Sequence, residues 1–248
     1  MSRWKAAAVH LAISFCIGLT LAGFLALTWY PPEYAWAMGG LGLLLILAAV
    51  DVCVGPLLTL VAWDTKKPSL RFDMAVIVLL QLAALGYGLY AIFQSRPVYA
   101  VFAGDRFQLL TAPDVPDAEG EHVKYAELRS LPVAGPKIIA AKPPSDESDR
   151  TTLMIAKAMG GAEYFNLPRY FVPYAELAAE AAGKARPIAA LSQRGGEASE
   201  TLSAFLRERK LESAQVGYLP LQGKAHNLTV LLDKATGEVL DIVAIDPR

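Results

Sequence analysis

One acidic residue, Asp51, lies within the long apolar stretch 35–63. A charge near the centre of a membrane costs about 3 kcal/mol, so such an acid faces other helices or is protonated. Gly55 and Pro56 follow one helical turn later, and a proline there should bend the helix because it lacks an N–H. Two interpretations remain open: Asp51 binds a partner helix together with Gly55 and Pro56, or it is a neutral acid hydrogen-bonded within its own helices.

A second group of polar residues follows the apolar half of the chain. The alternating stretch 98–110, interrupted by Gly104 and Asp105, predicts a β-hairpin close to the membrane. We expect a partner to contact this hairpin through four of its residues: Tyr99, Asp105, Arg106 and Phe107. An enzyme would need polar residues that converge at the membrane surface, and the sequence offers only Glu33, Arg96, Asp105 and Arg106 for that.

Signatures of catalysis and of metal binding are otherwise missing from the sequence. The three histidines, His10, His122 and His226, lie in separate regions, and both cysteines lie in apolar stretches. Neither a nucleophile elbow nor a phosphate-binding loop occurs. A formal net charge of −1 without a basic stretch excludes a nucleic-acid partner. We therefore predict a protein that is not an enzyme and that uses no metal and no cofactor.

Three stretches are long and apolar enough to cross a membrane, namely 6–28, 35–63 and 74–93. Helices of soluble proteins need a polar face, which these stretches lack. The first stretch is too long for the apolar part of a cleaved signal peptide, so we interpret it as an uncleaved anchor. The sequence thus predicts a multi-pass membrane protein in contact with lipid.

Lysine and arginine set the predicted orientation, because loops rich in these residues stay on the cytoplasmic side. Arg3 and Lys5 precede the first stretch, the loop 29–34 has no basic residue, and the loop 64–71 has three. The N-terminus is therefore predicted to be cytoplasmic and the C-terminal domain periplasmic, in a bacterial inner membrane. Aromatic residues between 29 and 36 fit the outer boundary of that membrane.

The chain divides by composition into a transmembrane module, 1–95, and a soluble domain, 96–248. Strands and helices in the second part are mixed without regular βαβ alternation, which favours an α+β fold. Strands are predicted at 137–141, 214–219, 227–232 and 238–245. Helices are predicted at 122–130, 174–182 and 197–210, with a further one that Asp146 or Ser148 caps and that runs to 159.

Several motifs occur in an order and at a spacing that resemble one known family. They are Met1-Ser2-Arg3-Trp4-Lys5-Ala6, Trp29-Tyr30-Pro31-Pro32, Gly40-Leu41-Gly42-Leu43, Val50-Asp51-Val52-Cys53-Val54-Gly55-Pro56, Leu70-Arg71-Phe72-Asp73, Arg96-Pro97-Val98-Tyr99 and Asp105-Arg106-Phe107. This arrangement is similar to the TfpX/TfpZ family of type IV pilin accessory proteins. The similarity is dense over residues 1–110 and thinner beyond them.

The resemblance implies a non-enzymatic helper of type IV pili that acts on the major pilin subunit. Before assembly, that subunit is held in the same membrane by one N-terminal helix, with its globular head outside. A protein with helices in the bilayer and a domain outside could contact both the helix and the head. Two alternatives remain: a sensor of the state of the envelope, and a membrane-anchored enzyme acting on pilin or lipid.

Overall fold

Helix α1, Arg3–Thr28, begins where the Ser2 hydroxyl accepts a hydrogen bond from the Lys5 amide, at 3.3 Å. Its 26 residues extend over about 39 Å, which exceeds the thickness of a hydrocarbon core. The computed structural model describes residues 1–39, 42, 50–116, 122–193 and 196–247. These residues form two units: residues 1–31 with 39–96, and residues 32–38 with 97–248.

The first unit is helical. Besides α1 it contains a π-helical turn, Val50–Val54, followed by α3, Gly55–Ala62, and by α4, Leu70–Gln94. Helix α3 packs against both α1 and α4. At one end of the unit, the hydroxyl of Tyr30 donates a hydrogen bond to the carbonyl of Ile92, at 3.1 Å.

Two of these helices, α1 and α4, are long and apolar enough to cross a membrane. They contain the predicted spans 6–28 and 74–93. The helix predicted over 35–63 differs in the structure, because a separate short helix, α2, Pro32–Met38, ends at Gly39 with a φ of +69°. A shorter apolar helix, Val52–Ala62, follows, and residues 40, 41 and 43–49 lie outside the described part of the chain. A third span therefore stays a prediction.

The second unit is built on one mixed sheet of eight strands within the described residues. The strands are β1, Pro97–Ala103; β2, Arg106–Thr111; β3, Lys137–Ala141; β4, Phe171–Pro173; β5, Arg186–Pro187; β6, Val216–Gln222; β7, Leu228–Asp233; and β8, Val239–Val243. Their order is β4-β3-β1-β2-β6-β7-β8, and β5 pairs with β6. The pairs β1–β3 and β2–β6 are parallel, and the other pairs are antiparallel.

One face of this sheet is covered by α2, although its residues 35–38 fall within the predicted span 35–63. Ala37 is fully buried there, and its carbonyl accepts hydrogen bonds from the amides of Ala225 and His226, at 2.9 and 3.2 Å. The ring of Trp36 stacks on that of His226 with 4.3 Å between centroids. A recess beside Tyr34 is lined by residues of both β3 and β8, so the sheet curves around α2.

Four further helices complete the unit among the residues described. They are α5, Glu147–Ala158; α6, Ala178–Lys184; α7, Ala189–Ser192; and α8, Gly196–Arg209. Helix α6 places Ala181 in the same core as α2. Helices α7 and α8 cover the opposite face, where Leu191 and Leu202 pack against β6 and β7.

The prediction of a mixed α and β domain is confirmed, as is the hairpin formed by β1 and β2 with Gly104 at its turn, at a φ of +74°. The side chain of Asp146 caps α5 by accepting a hydrogen bond from the Asp149 amide. The prediction of a helix over 122–130 is wrong, because these described residues form no α-helix and have the 3₁₀ turn Ala126–Leu128 instead.

Candidate functional site

The π-helical turn Val50–Val54 contains Asp51 and directly precedes Gly55 and Pro56. Pro56 has no N–H to donate to the preceding turn, which is a recognised cause of π turns and kinks. The sequence predicted a bend at Gly55 and Pro56, and the structure has a π-helical turn immediately before them. The side chain of Asp51 lies outside the described part of the structure, so its partner-binding role stays a prediction.

Gly55 is buried where α3 meets α4. A Cβ at this position would lie 1.9 Å from the side-chain nitrogen of Gln81, so any larger residue would displace that side chain. Small residues allow such close approach between membrane helices. Gly55 thus has a packing role in the described structure, in addition to the partner-binding role that the sequence suggested for it and for Pro56.

A hydrogen bond joins α1 to α3 at Thr59, one helical turn after Gly55. The Nδ1 atom of His10 and the hydroxyl of Thr59 are 2.5 Å apart, and Thr59 is buried. Ser14, one turn along α1 from His10, is also buried. Sequence reasoning singled out neither Ser14 nor Thr59, because an isolated hydroxyl in an apolar helix is common and gives no periodic signal.

The predicted contact hairpin contains two kinds of residue. Asp105 and Arg106 are exposed at its turn and form a two-bond pair, at 2.8 and 3.2 Å, which lowers the pKa of the Asp105 carboxyl. Tyr99 and Phe107 are instead core residues, with 1% and 0% of their surface exposed. A partner could reach the Asp105–Arg106 pair directly, whereas Tyr99 and Phe107 could act only by holding the strands in place.

A recess of about 400 Å³ extends from Arg106 towards residues that are distant in sequence. Arg186 on β5 and Gln222 on β6 line it, together with Asn227. Nothing in the sequence connects these residues, because a two-residue strand such as β5 is too short for pattern analysis. Two guanidinium groups beside amide side chains provide hydrogen-bond donors suited to carboxylate or phosphate groups.

Two of the four polar residues proposed as an enzyme cluster, Glu33 and Arg96, have the following contacts within their own units. Glu33 lies beside Tyr34, where burial first, and then the charges of Glu33 and Asp241, raise the pKa of the tyrosine to about 12. Arg96 donates a hydrogen bond to the Phe93 carbonyl, at 2.8 Å, and lies over the Phe93 ring. Among the residues described, no three His, Cys, Asp or Glu side chains are grouped so that they could hold a metal ion.

Comparison with known proteins identifies relatives along nearly the whole chain. Fimbrial assembly proteins of Dichelobacter nodosus serogroups E1 and I are 29% and 28% identical over 234 residues, covering 93% of this chain and 90% of each relative. The fimbrial assembly protein of its serogroups C1 and C2 is 34% identical over 113 residues, covering 45% of this chain and 86% of that relative. Neither a family model nor a solved structure matches. The chain therefore belongs to the family of these fimbrial assembly proteins.

Proposed function

We propose that this protein is an inner-membrane accessory protein of the type IV pilus, as in the TfpX/TfpZ family. It binds the major pilin subunit and promotes pilus assembly or pilin stability, and it catalyses no reaction. The observation that carries this proposal is the similarity to fimbrial assembly proteins over 93% of the chain. An alignment of 234 residues includes parts of both units, so the similarity is not confined to the apolar helices.

The helices support a membrane location. Apolar side chains cover the outside of α1 and α4, and Leu27 and Leu79 are 86% and 68% exposed. Water would not favour such surfaces, whereas lipid does. The basic residues at the N-terminus and in the loop 64–71 support a cytoplasmic N-terminus and a periplasmic sheet unit.

The first test is deletion of the gene, followed by measurement of pilin sheared from the cell surface and of total pilin. We expect surface pilin to fall. An unchanged total would assign the protein to assembly or retraction, and a parallel fall of both would assign it to pilin stability. Normal amounts of both would contradict the proposed function.

The second test addresses Asp51. Asp51→Leu should reduce surface pili, because it removes the polar group that we propose binds the partner. The amount of this protein should not fall, because the variant removes a costly polar group and keeps an apolar helix. Asp51→Asn is the matched control, since it keeps hydrogen-bonding atoms and removes only the charge. Normal piliation with Asp51→Leu would show that Asp51 does not contribute to partner binding.

A further inference from the structure

A groove lies between α1 and α4, over α3, in the helical unit. We call it the helix groove; its volume is about 350 Å³, and its walls include Ile13 and Ile17 of α1 and Val78 and Leu82 of α4. At one end of it, the indole nitrogen of Trp63 donates a hydrogen bond to the carbonyl of Met1, at 3.2 Å. Almost all of its wall is apolar.

Four polar side chains interrupt that wall: His10 and Ser14 of α1, Thr59 of α3 and Gln81 of α4. His10 and Thr59 form the 2.5 Å pair described above, and Ser14 lies next to them. Only 9% of Ser14 is exposed, and its hydroxyl has no hydrogen-bond partner among the described residues. A buried hydroxyl left without a partner costs roughly 1–3 kcal/mol in a protein interior.

The other hydroxyls of α1 give a direct comparison. Those of Thr20 and Thr28 donate to the carbonyls four residues earlier, Cys16 and Phe24, at 2.9 and 2.7 Å. This local bond is the usual solution for a hydroxyl in a membrane helix. Ser14 does not use it and instead faces the groove, where it is available to a group that enters from outside.

The geometry points to the helix groove as the seat of one membrane-spanning helix of another protein, which places a hydrogen-bonding side chain against Ser14 and the His10–Thr59 pair. This inference rests on the proposed function, in which that helix is the one that anchors the pilin subunit. A lipid acyl chain would fill an apolar groove but has no hydrogen-bonding group for Ser14. Hydrogen bonds across helices are, by contrast, an established means of association in lipid.

The test is site-specific photo-crosslinking in cells that express the full chain and its cognate pilin. One photoreactive residue replaces Val78, which lines the helix groove, and in a matched strain it replaces Leu79, the next residue on α4, which does not. Antibodies against pilin and against a tag on this chain identify the adduct. We expect a pilin adduct from position 78 that is several-fold stronger than from position 79.

The Ser14 hydroxyl is tested in the same assay. Ser14→Ala should weaken the adduct from position 78 by about threefold to tenfold, the effect of one interhelical hydrogen bond. Thr20→Val is the control, because the Thr20 hydroxyl bonds to its own helix and should not affect the adduct. An unchanged adduct with Ser14→Ala would overturn the role of this hydroxyl.

The outcome for the groove is separable from the outcome for the proposed function. Equal pilin adducts from both positions, adducts with lipid only, or no adduct would overturn the helix groove as the binding site. If gene deletion still lowers surface pilin in that case, the proposed function stands and pilin binds elsewhere. If deletion has no effect, the proposed function itself fails.

Discussion

The same apolar residue types are placed in opposite ways in the two units. In the helical unit, Leu27 and Phe15 are 86% and 59% exposed, whereas Phe102 and Phe107 of the sheet unit are completely buried. Burial of apolar surface away from water stabilises the sheet unit, at about 25 cal/mol per Å². Among the described residues the helical unit has no comparable apolar core. On the proposed membrane location, lipid would take the place of that core.

The largest expected effect on stability comes from removing one aromatic ring, and removing one from each unit in turn tests this comparison. Phe107→Ala should destabilise the sheet unit by about 3–5 kcal/mol, because it leaves a cavity in a closed core. Phe15→Ala should have almost no effect on that unit. Denaturant unfolding of the detergent-purified chain, followed by the strand signal in circular dichroism, measures both. Equal losses would contradict the assignment of Phe15 to an outer surface.

A smaller effect tests whether α2 belongs to the sheet unit. Gly223→Ala should cost about 1–3 kcal/mol, because its Cβ would lie 2.2 Å from the His226 carbonyl oxygen and 2.7 Å from that of Ala37. The control is Gly183→Ala in α6, which has open space and should be neutral or slightly stabilising. The same unfolding measurement applies. A neutral Gly223→Ala would contradict the close packing of this loop both on itself and on α2.

Acid should weaken the sheet unit through Asp114. Burial opposes its ionisation, but hydrogen bonds from Thr111 and Lys224 prevail and lower its pKa below the ordinary 3.8. A carboxyl with a lowered folded-state pKa contributes stability above pH 3.8 that is lost as the pH falls through the folded value. Asp114→Asn should cost about 1 kcal/mol at neutral pH. It should also flatten the decline of stability in acid, measured as unfolding between neutral pH and pH 2. An equally steep decline in Asp114→Asn would assign the acid sensitivity to other carboxyls.

The smallest effect is expected at the hairpin turn. Asp105→Ala should change stability by less than about 1 kcal/mol, because its partner Arg106 and the carboxyl itself are both about half exposed.

Surface pilin measured in the Asp105→Ala strain has two informative outcomes. A strong loss of pili from a stable protein would favour direct contact, or the enzyme alternative, at this turn, and normal piliation would remove the hairpin turn from the partner-binding surface.

The sequence predicted elements whose signal is local. Alternation around Gly104 identified the hairpin, and an acid before a helical stretch identified the cap of α5 by Asp146. The strands β4 and β5, of three and two residues, were missed because their pairing depends on partners far along the chain. Helix α2 was assigned to the membrane because Ala35 and Ala37 are as apolar as a span. Only long-range contacts distinguish the two locations.

The candidate site divides in the same way. Pro56 and the irregular helix before it follow from the chemistry of proline and were predictable. The hydroxyl of Ser14 was not predictable, because its significance depends on a missing bond to its own helix and on a neighbouring helix wall. Nor did the sequence distinguish the buried Tyr99 and Phe107 from the exposed Asp105 and Arg106 as contact residues, because every residue of β1 is buried instead of every second one.

The packing of α2 has a consequence for biosynthesis. Residues 32–38 leave the ribosome before α3 and α4, yet the strands that bury Ala37 come after both of these helices. The sheet therefore cannot close until the intervening helices have been made and have allowed the two parts of the unit to meet. On the proposed membrane topology, a misinserted chain could not close this unit and would remain open to proteases. By the same reasoning, a chain that starts at Pro97 would lack part of its own core.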